Sequence, residues 1–359
     1  MTALPVDDDT SADYPHVPGV VSAEQMRATG VAIVGMQESS GALPWFPGGQ
    51  TDPWDHIESA MALSVTGFHD EAEAAYEWSR RMQRTDGSWP IRTVVGRIED
   101  DGVDSNFCAY IAVGVWHHYL ITGDERFLER MWPVVWSAID CVLRFQREDG
   151  AFRWGGDTAG NMFDEAQITG NASIFQALDC ALHIAVEVDQ PEKDWIRAHS
   201  ALGDAIRTDL ARDRWEIFQP PSEHSMDWYY PILGGALRGT AGQELIARRW
   251  DEFVVPGRGV RCVDHRPWVT GAETCELALA LDALGDTDDA ISLIASIQHL
   301  RDPDGSYWTG LVFADGKRWP VEKSCWTSAA VILAADAVSR TSVANGIFRD
   351  VRQRLTAAH

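Results

Sequence analysis

Apolar positions along the chain fall into two kinds of segment that alternate. Six runs open on polar or acidic residues and then stay apolar or small at nearly every position: "TDPWDHIESAMALSV" from Thr51, "DSNFCAYIAVGVWHHYL" from Asp104, "DEAQITGNASIFQALDCAL" from Asp164, "MDWYYPILGGAL" from Met226, "GAETCELALALDAL" from Gly271 and "EKSCWTSAAVILAADAV" from Glu322. A helix that is apolar all round is buried on both sides. Between these runs lie six charge-rich segments with a single apolar stripe: "AEQMRATGVAIVGMQ", "HDEAEAAYEWSRRMQ", "WPVVWSAIDCVLRFQ", "EKDWIRAHSALGDAIRTDLAR", "GQELIARRWDEFV" and "DTDDAISLIASIQHL". Their spacing predicts amphipathic helices with one solvated face. "TSVANGIFRDVRQRL", from Thr341, predicts a closing helix. Pro133 is read at the start of its helix, where a missing N–H does no harm.

The connections differ by direction. A buried run passes to an amphipathic one through a short turn such as "TGFHD" or "TGDE", whereas the return loops are long. These carry Asp-Gly pairs at Asp86-Gly87, Asp149-Gly150, Asp304-Gly305 and Asp315-Gly316, suited to tight turns with positive φ. Six buried helices alternating with six amphipathic ones predict an all-α fold, an inner ring wrapped by an outer ring: an (α/α)6 barrel with short β-hairpins at one end. Such pairing makes residues 21–359 one domain, preceded by a disordered lead over 1–20. All the long loops and the N-termini of all six inner helices then meet at one lip, where functional residues are sought.

Composition narrows the partners. Acidic residues outnumber basic ones 54 to 30, a net charge of −24, which repels nucleic acid and anionic membrane. No stretch approaches the ~18 unbroken apolar residues of a membrane span. The acidic N-terminus lacks the basic and apolar regions of a secretory signal. Six scattered cysteines without a Cys-x-x-Cys pair suggest reduced thiols in a cytoplasmic protein that needs no metal or cofactor. A neutral or cationic ligand fits best.

The inner helices open with Asp52 and Asp55, Asp104 and Asn106, Asp164 and Glu165, Asp227, Glu273 and Glu276, and Glu322. Each has an ordinary reading as a helix cap, since a helix N-terminus favours negative charge. As a ring around one pocket they gain a second reading, because like charges at close range push pKa values apart. Aromatics crowd the same lip, among them Trp54, Tyr230 and Trp268, and offer flat surfaces with a polar handle. Carboxylates beside aromatic platforms are the equipment of a glycoside hydrolase. Candidate substrate-binding residues are therefore Trp54, Asp55, Asp104, Glu165, Asp227, Tyr230, Trp268 and Glu276, with an oligo- or polysaccharide as partner.

"MQRTDGSWP", from Met82, contains Gln-x-x-x-Gly-x-Trp, the spacing of a terpene-cyclase repeat. The chemistry of that class is missing: there is no Asp-x-Asp-Asp acid motif, no zinc site built around Asp-x-Cys, and the charge is hostile to a diphosphate. "QREDGAF", from Gln146, repeats the pattern with Phe in place of Trp, so the motif is read as a feature of the helix-to-hairpin connection. A cyclase or prenyltransferase-like enzyme remains one alternative, and a catalytically inactive glycan-binding barrel another.

From about Val21 onward the chain resembles the inverting (α/α)6-barrel glycoside hydrolases. Within these, "TDPWDHIESAMAL", "DSNFCAYIAVGVWHHYLITGD" and "WVTGAETCELALAL" look like the methylmannose polysaccharide hydrolases of mycobacteria, which are α-1,4-endomannosidases. The resemblance implies an acid pair split between the first inner helix and a late one, matched here by Asp52 or Asp55 and by Glu273 or Glu276. The earlier member of each pair sits nearer the lip, which selects Asp52 and Glu273. The resemblance makes the Asp the general acid and the Glu the base, although a capping carboxylate has a lowered pKa. Apolar residues in the long loops, Trp45, Phe46, Trp154, Met162, Phe163, Trp228 and Trp308, suit an open cleft for a partly O-methylated mannan.

Overall fold

A computed structural model describes residues 14–212 and 214–350. It is mostly helical. In chain order the helices are α1 (Ala23–Met36), α2 (Pro53–Val65), α3 (His69–Met82), α4 (Ser105–Ala109), α5 (Ile111–Thr122), α6 (Glu125–Leu143), α7 (Ile168–Glu187), α8 (Lys193–Arg212), α9 (Met226–Leu233), α10 (Gly239–Phe253), α11 (Gly271–Leu284), α12 (Thr287–Ser296) and α13 (Cys325–Ser339).

Packing joins α2 to α5, α5 to α7, α7 to α9, α9 to α11, α11 to α13 and α13 back to α2. These six helices follow one another in a closed cycle, and they are the all-apolar runs of the sequence. Every residue of α2 except Trp54 is buried, as is α11 from Gly271 to Asp282. The charge-rich helices lie outside: α3 on α2, α6 on α5 and α7, α8 on α7, α10 on α9 and α11, α12 on α11 and α13, and α1 on α13 and α2. Helix α3 shows why, burying Ala72, Ala75, Tyr76 and Trp78 on one stripe and leaving its acids and arginines to water.

The Gln-x-x-x-Gly turns tie the outer helices together. At the end of α1 the Gln37 amide donates to the carbonyl of Gly41 in its own turn at 3.1 Å and to that of Glu71 on α3 at 2.9 Å. Gln83 does the same with Gly87 and with Val134 on α6, at 3.1 and 2.9 Å. Gln146 repeats it with Gly150 and with Ala198 on α8, both at 3.1 Å. Gly87 has φ of 90° and presses on α6, where a Cβ would collide with the Ser137 carbonyl. Both conditions demand glycine. The motif is a clasp between successive outer helices.

Loops leading into the inner helices carry short antiparallel strands. β1 (Gln50–Thr51), β2 (Arg92–Val94) and β3 (Arg97–Asp100) form one sheet, and β4 (Val103–Asp104) pairs with β5 (Gly155–Gly156). β6 (Val254–Val255), β7 (Gly259–Arg261), β8 (Trp268–Thr270), β9 (Gly310–Val312) and β10 (Lys317–Arg318) form a five-stranded sheet in the order β10-β9-β8-β7-β6. Strands β1, β4 and β8 end where α2, α4 and α11 begin. The sheets thereby fix the first turns of the inner helices α2 and α11 and of α4, which leads into α5, and the acids stand on these turns.

Several details depart from the sequence reading. Helix α6 starts at Glu125 because Asp124 caps it, accepting the N–H groups of Arg126 and Phe127, so Pro133 lies well inside the helix. Helix α7 starts only at Ile168, since the preceding backbone is extended and the Glu165 carbonyl accepts the Trp154 N–H at 2.9 Å. Helix α9 stops at Leu233, where Gly234 lies too close to the Ala172 carbonyl for any side chain. Residues 341–350 run in turns and not in the expected closing helix, tied back by Ser342, whose N–H and Oγ bond Asp336 at 2.7 and 2.6 Å. The remainder of that segment lies outside the described residues. So do residues 1–13 of the expected lead; nearer the domain, Val17 is buried and bridged to Val21.

Candidate active site

Asp52 caps α2. Its Oδ1 accepts the Asp55 N–H at 3.0 Å, and Pro53 fills the first turn, where no N–H is required. Its Oδ2 accepts the Trp45 indole N–H at 2.8 Å, so both oxygens are engaged. Asp55 and Glu58 follow at three-residue steps on the same face of the helix. Exposure falls from 8% at Asp52 and Asp55 to 2% at Glu58, so the stripe of acids runs inward from the mouth.

Helix α11 supplies Glu273 and Glu276, both buried and again three apart. Glu276 is held by two consecutive tyrosines of α9: Tyr229 OH donates to Oε2 at 2.5 Å and Tyr230 OH to Oε1 at 2.6 Å. Glu273 has no such clamp, and its Oε2 is buried without a partner among the described residues. Between α4 and α5, Tyr110 donates its OH to Glu58 Oε1 at 2.9 Å. The Trp54 ring lies between Tyr110 and Tyr230, with centroids 5.7 and 5.5 Å away. The indole N–H groups of Trp54 and Trp326 favour the charged form of Glu58 without reaching hydrogen-bond geometry.

The electrostatics tie these acids to one space. Burial lifts Asp55 well above the usual carboxylate range, and the charges of Asp52, Glu58 and Glu276 lift it further. Burial pushes Glu58 up to about 7 against the pull of its donors. Glu276 is raised well above its ordinary value, by burial first and by Glu58 second, with Tyr229 and Tyr230 opposing. Asp52 is raised by burial and held back by the Asp55 N–H and the Trp45 indole. Asp104, which caps α4 through the N–H groups of Asn106 and Phe107, is pushed up to about 7 by burial, with Asp52 adding. Buried carboxyls pushed toward the protonated form are groups able to act as acids at neutral pH.

Of the residues nominated from sequence, Asp52, Trp54, Asp55, Asp104, Tyr230, Glu273 and Glu276 come together. Three do not. Glu165 stands on the exposed loop before α7. Asp227 accepts the Thr169 hydroxyl at 2.5 Å and the Ser222 N–H at 2.7 Å, which staples α9 to α7 and its loop. Trp268 lies out along β8, its indole N–H donating to the Trp319 carbonyl at 2.6 Å. Trp228, read as a cleft wall, turns outward: its indole N–H donates to the Leu245 carbonyl and its ring stacks on Phe253. Glu58, Tyr110 and Tyr229 belong to the cluster and were not nominated as ligands. A signal for Glu58 exists, as the one acid inside the apolar run "HIESAMALSV". Among the described residues no group of three or more His, Cys, Asp or Glu side chains is placed to hold a metal ion. No described helix is long and apolar enough to cross a membrane.

No sequence-family model matches the chain. It is, however, 56% identical over 348 residues to the MMP endo-(1,4)-3-O-methyl-alpha-D-mannosidase of Mycolicibacterium hassiacum, an alignment spanning 96% of this chain and 94% of the relative. The chain belongs to the MMP endo-(1,4)-3-O-methyl-alpha-D-mannosidase family. That is the family which the segments around α2, α5 and α11 resemble. Solved structures share the fold of this mannosidase-family chain. A wild-type glycosidase has a TM-score of 0.70 at 16% identity, covering 90% of this chain and 97% of its own. A D-mannose isomerase scores 0.69 at 12% identity, covering 89% and 96%. A cellobiose 2-epimerase of Spirochaeta thermophila scores 0.63 at 13%, covering 89% and 97%. Likeness at these identities speaks of the fold alone.

Proposed function

We propose that the chain is an endo-acting glycoside hydrolase that cuts internal α-1,4-mannosidic bonds of a 3-O-methylated mannose polysaccharide with inversion. Its scaffold is an (α/α)6 barrel whose inner ring is the closed cycle of α2, α5, α7, α9, α11 and α13. The observation that carries the reading is the convergence of two acid pairs, Asp52–Asp55 on α2 and Glu273–Glu276 on α11, in a member of this family. A neutral glycan also avoids the repulsion that a chain of net charge −24 exerts on anionic partners. The cysteines among the described residues all stand as unpaired thiols, which suits a cytoplasmic protein.

Asp55 is the general acid, in place of the Asp52 read from sequence. Both oxygens of Asp52 are engaged, whereas burial and three neighbouring carboxylates oppose the charge of Asp55 and keep its proton on. Asp55 gives that proton to the glycosidic oxygen as the bond from C1 breaks. Glu273, free of tyrosine donors, takes a proton from the water that attacks C1 on the opposite face. The step leaves Asp55 ionised and Glu273 protonated, and exchange with solvent resets both. Glu276 keeps Tyr229 and Tyr230 in place, and the negative field of the cluster stabilises the cationic sugar of the transition state.

The test is to incubate purified protein with methylated and unmethylated mannose oligomers. Fragment size is followed by mass spectrometry and the first-formed anomer by proton NMR. Internal fragments with a β-configured new end are expected. Release of single sugars alone would overturn the endo mode, an α-configured product would overturn inversion, and cleavage of glucans in place of mannans would overturn the substrate.

A further inference from the structure

The five-stranded sheet carries an apolar groove outside the carboxylate cluster. Val263, Arg266, Pro267, Trp268, Val312 and Trp319 line about 440 Å³ of it. Trp319 is 58% exposed. A contiguous apolar surface of this kind marks a binding site more often than a lone exposed residue does. The groove is also built rigidly. The Trp268 indole N–H is fixed on the Trp319 carbonyl at 2.6 Å, and its ring lies over Gly310, where a Cβ would approach Nε1 to 2.5 Å. Across the sheet Trp268 pairs with Val312.

One strand joins this surface to the candidate active site. Strand β8 runs from Trp268 to Thr270 straight into α11, whose first turn holds Glu273. At about 3.3 Å per strand residue, the groove opens roughly 10 Å outside the start of that helix. Trp319 stands on the loop that leads into α13. The lining has one cation, Arg266, and no carboxylate, on a chain of net charge −24. A heavily hydrated ligand gains little there. A neutral one that carries methyl groups gains most.

Resting on the functional reading above, we propose that this groove is a remote subsite that grips O-methylated sugars of the mannan beyond the bond being cut. Methyl ethers and C–H faces of the sugar rings lie on Trp268 and Trp319 and against Val263 and Val312. A chain gripped there and at the carboxylates is cut internally.

Trp319→Ala and Trp268→Ala, each checked by thermal melting, test the idea with a short and a long methylated mannose oligomer and a long unmethylated one. For the long methylated oligomer KM should rise about tenfold with kcat kept, what losing about two buried methyl groups is worth. The short and the unmethylated oligomers should shift by less than about twofold. Trp319 is solvent-exposed, so its variant keeps the fold even if Trp268→Ala does not. Equal shifts for all three oligomers, or none, would overturn the subsite. So would a wild-type dimer that the variants dissociate, since the groove would then be a surface for a second copy of the chain. If wild-type protein cuts no mannan, the functional reading fails instead. The groove is then judged by equilibrium binding of the long methylated oligomer, where the same tenfold weakening is expected and its absence overturns the subsite.

Discussion

Asp52 accepts the backbone N–H of Asp55 at 3.0 Å, so the first acid of α2 holds the turn that carries the second. The two are chemically alike and three residues apart, yet their environments differ. Asp52 spends its lone pairs on a cap and on the Trp45 indole. Asp55 is surrounded by Asp52, Glu58 and Glu276. In the proposed mechanism the same residue type thus serves architecture at Asp52 and proton transfer at Asp55.

Asp55→Asn is expected to lower hydrolysis at least ~100-fold, the usual worth of a positioned acid, with melting little changed because burial and its neighbours already disfavour the charged form of Asp55. Asp52→Asn keeps a good cap and should cost less activity. Rates of both variants on one methylated oligomer decide the matter. A dead Asp52→Asn beside an active Asp55→Asn would move the acid role to Asp52.

On α11 the contrast is between a free carboxylate and a clamped one. Glu273→Gln should lower kcat at least ~100-fold. Glu276→Gln should act mainly on stability, since it replaces a carboxyl group that accepts two tyrosine hydroxyls, at a cost of about 2 kcal/mol. A Glu273→Gln variant that keeps near wild-type kcat would exclude Glu273 as the base.

Much of this was legible in the sequence because the signals are periodic. Buried and amphipathic runs alternate, so the helices follow, and Asp52, Asp55, Glu273 and Glu276 could be placed at helix starts before any coordinates. Long-range pairing was not legible. Nothing local says that Tyr229 and Tyr230 turn toward Glu276 while Trp228 turns to Phe253, because a short helix with Pro231 inside it can face either way. Asp227 and Glu165 misled for the opposite reason. An acid near a helix start has a sufficient local role, and Asp227 performs it on Thr169 and Ser222.

At the far end of α11, buried Asp282 binds Arg340 through two contacts at 2.7 and 2.8 Å and Arg349 at 2.6 Å. Both arginines reach solvent, which softens the pair. Asp282→Asn should still lower the unfolding free energy by about 3 kcal/mol and leave kcat unchanged, because the site lies at the other end of the helix. Urea unfolding measures it. A loss below about 1 kcal/mol would show that solvent screens the pair.

Stability should also depend on pH in an unusual direction. Burial pushes Glu58 and Asp104 up to about 7 and lifts Asp55 and Glu276 well above the carboxylate range. The folded chain therefore binds these protons more tightly than the unfolded one. For Glu58 and Asp104 the resulting stability is complete below the unfolded value, near pH ~4, and is lost as pH rises through about 7. Buried histidines run the other way: burial lowers His56 to about 4, His117 to about 3 and His118 to about 4. Their contribution is present above about pH 6.5 and lost as pH falls below it. Between about pH 8 and pH 6.5 the carboxylates act alone, so the unfolding free energy should rise as the solution is acidified, and level off or fall below that window. Glu58→Gln, neutral throughout, should flatten the rise and add on the order of 3 kcal/mol at most near pH ~8. Urea unfolding at fixed ionic strength tests both. A wild-type protein that steadily loses stability from about pH 8 to pH 6.5, or a variant with the wild-type slope, would mean that these acids ionise without penalty and that the cluster is not the desolvated site described.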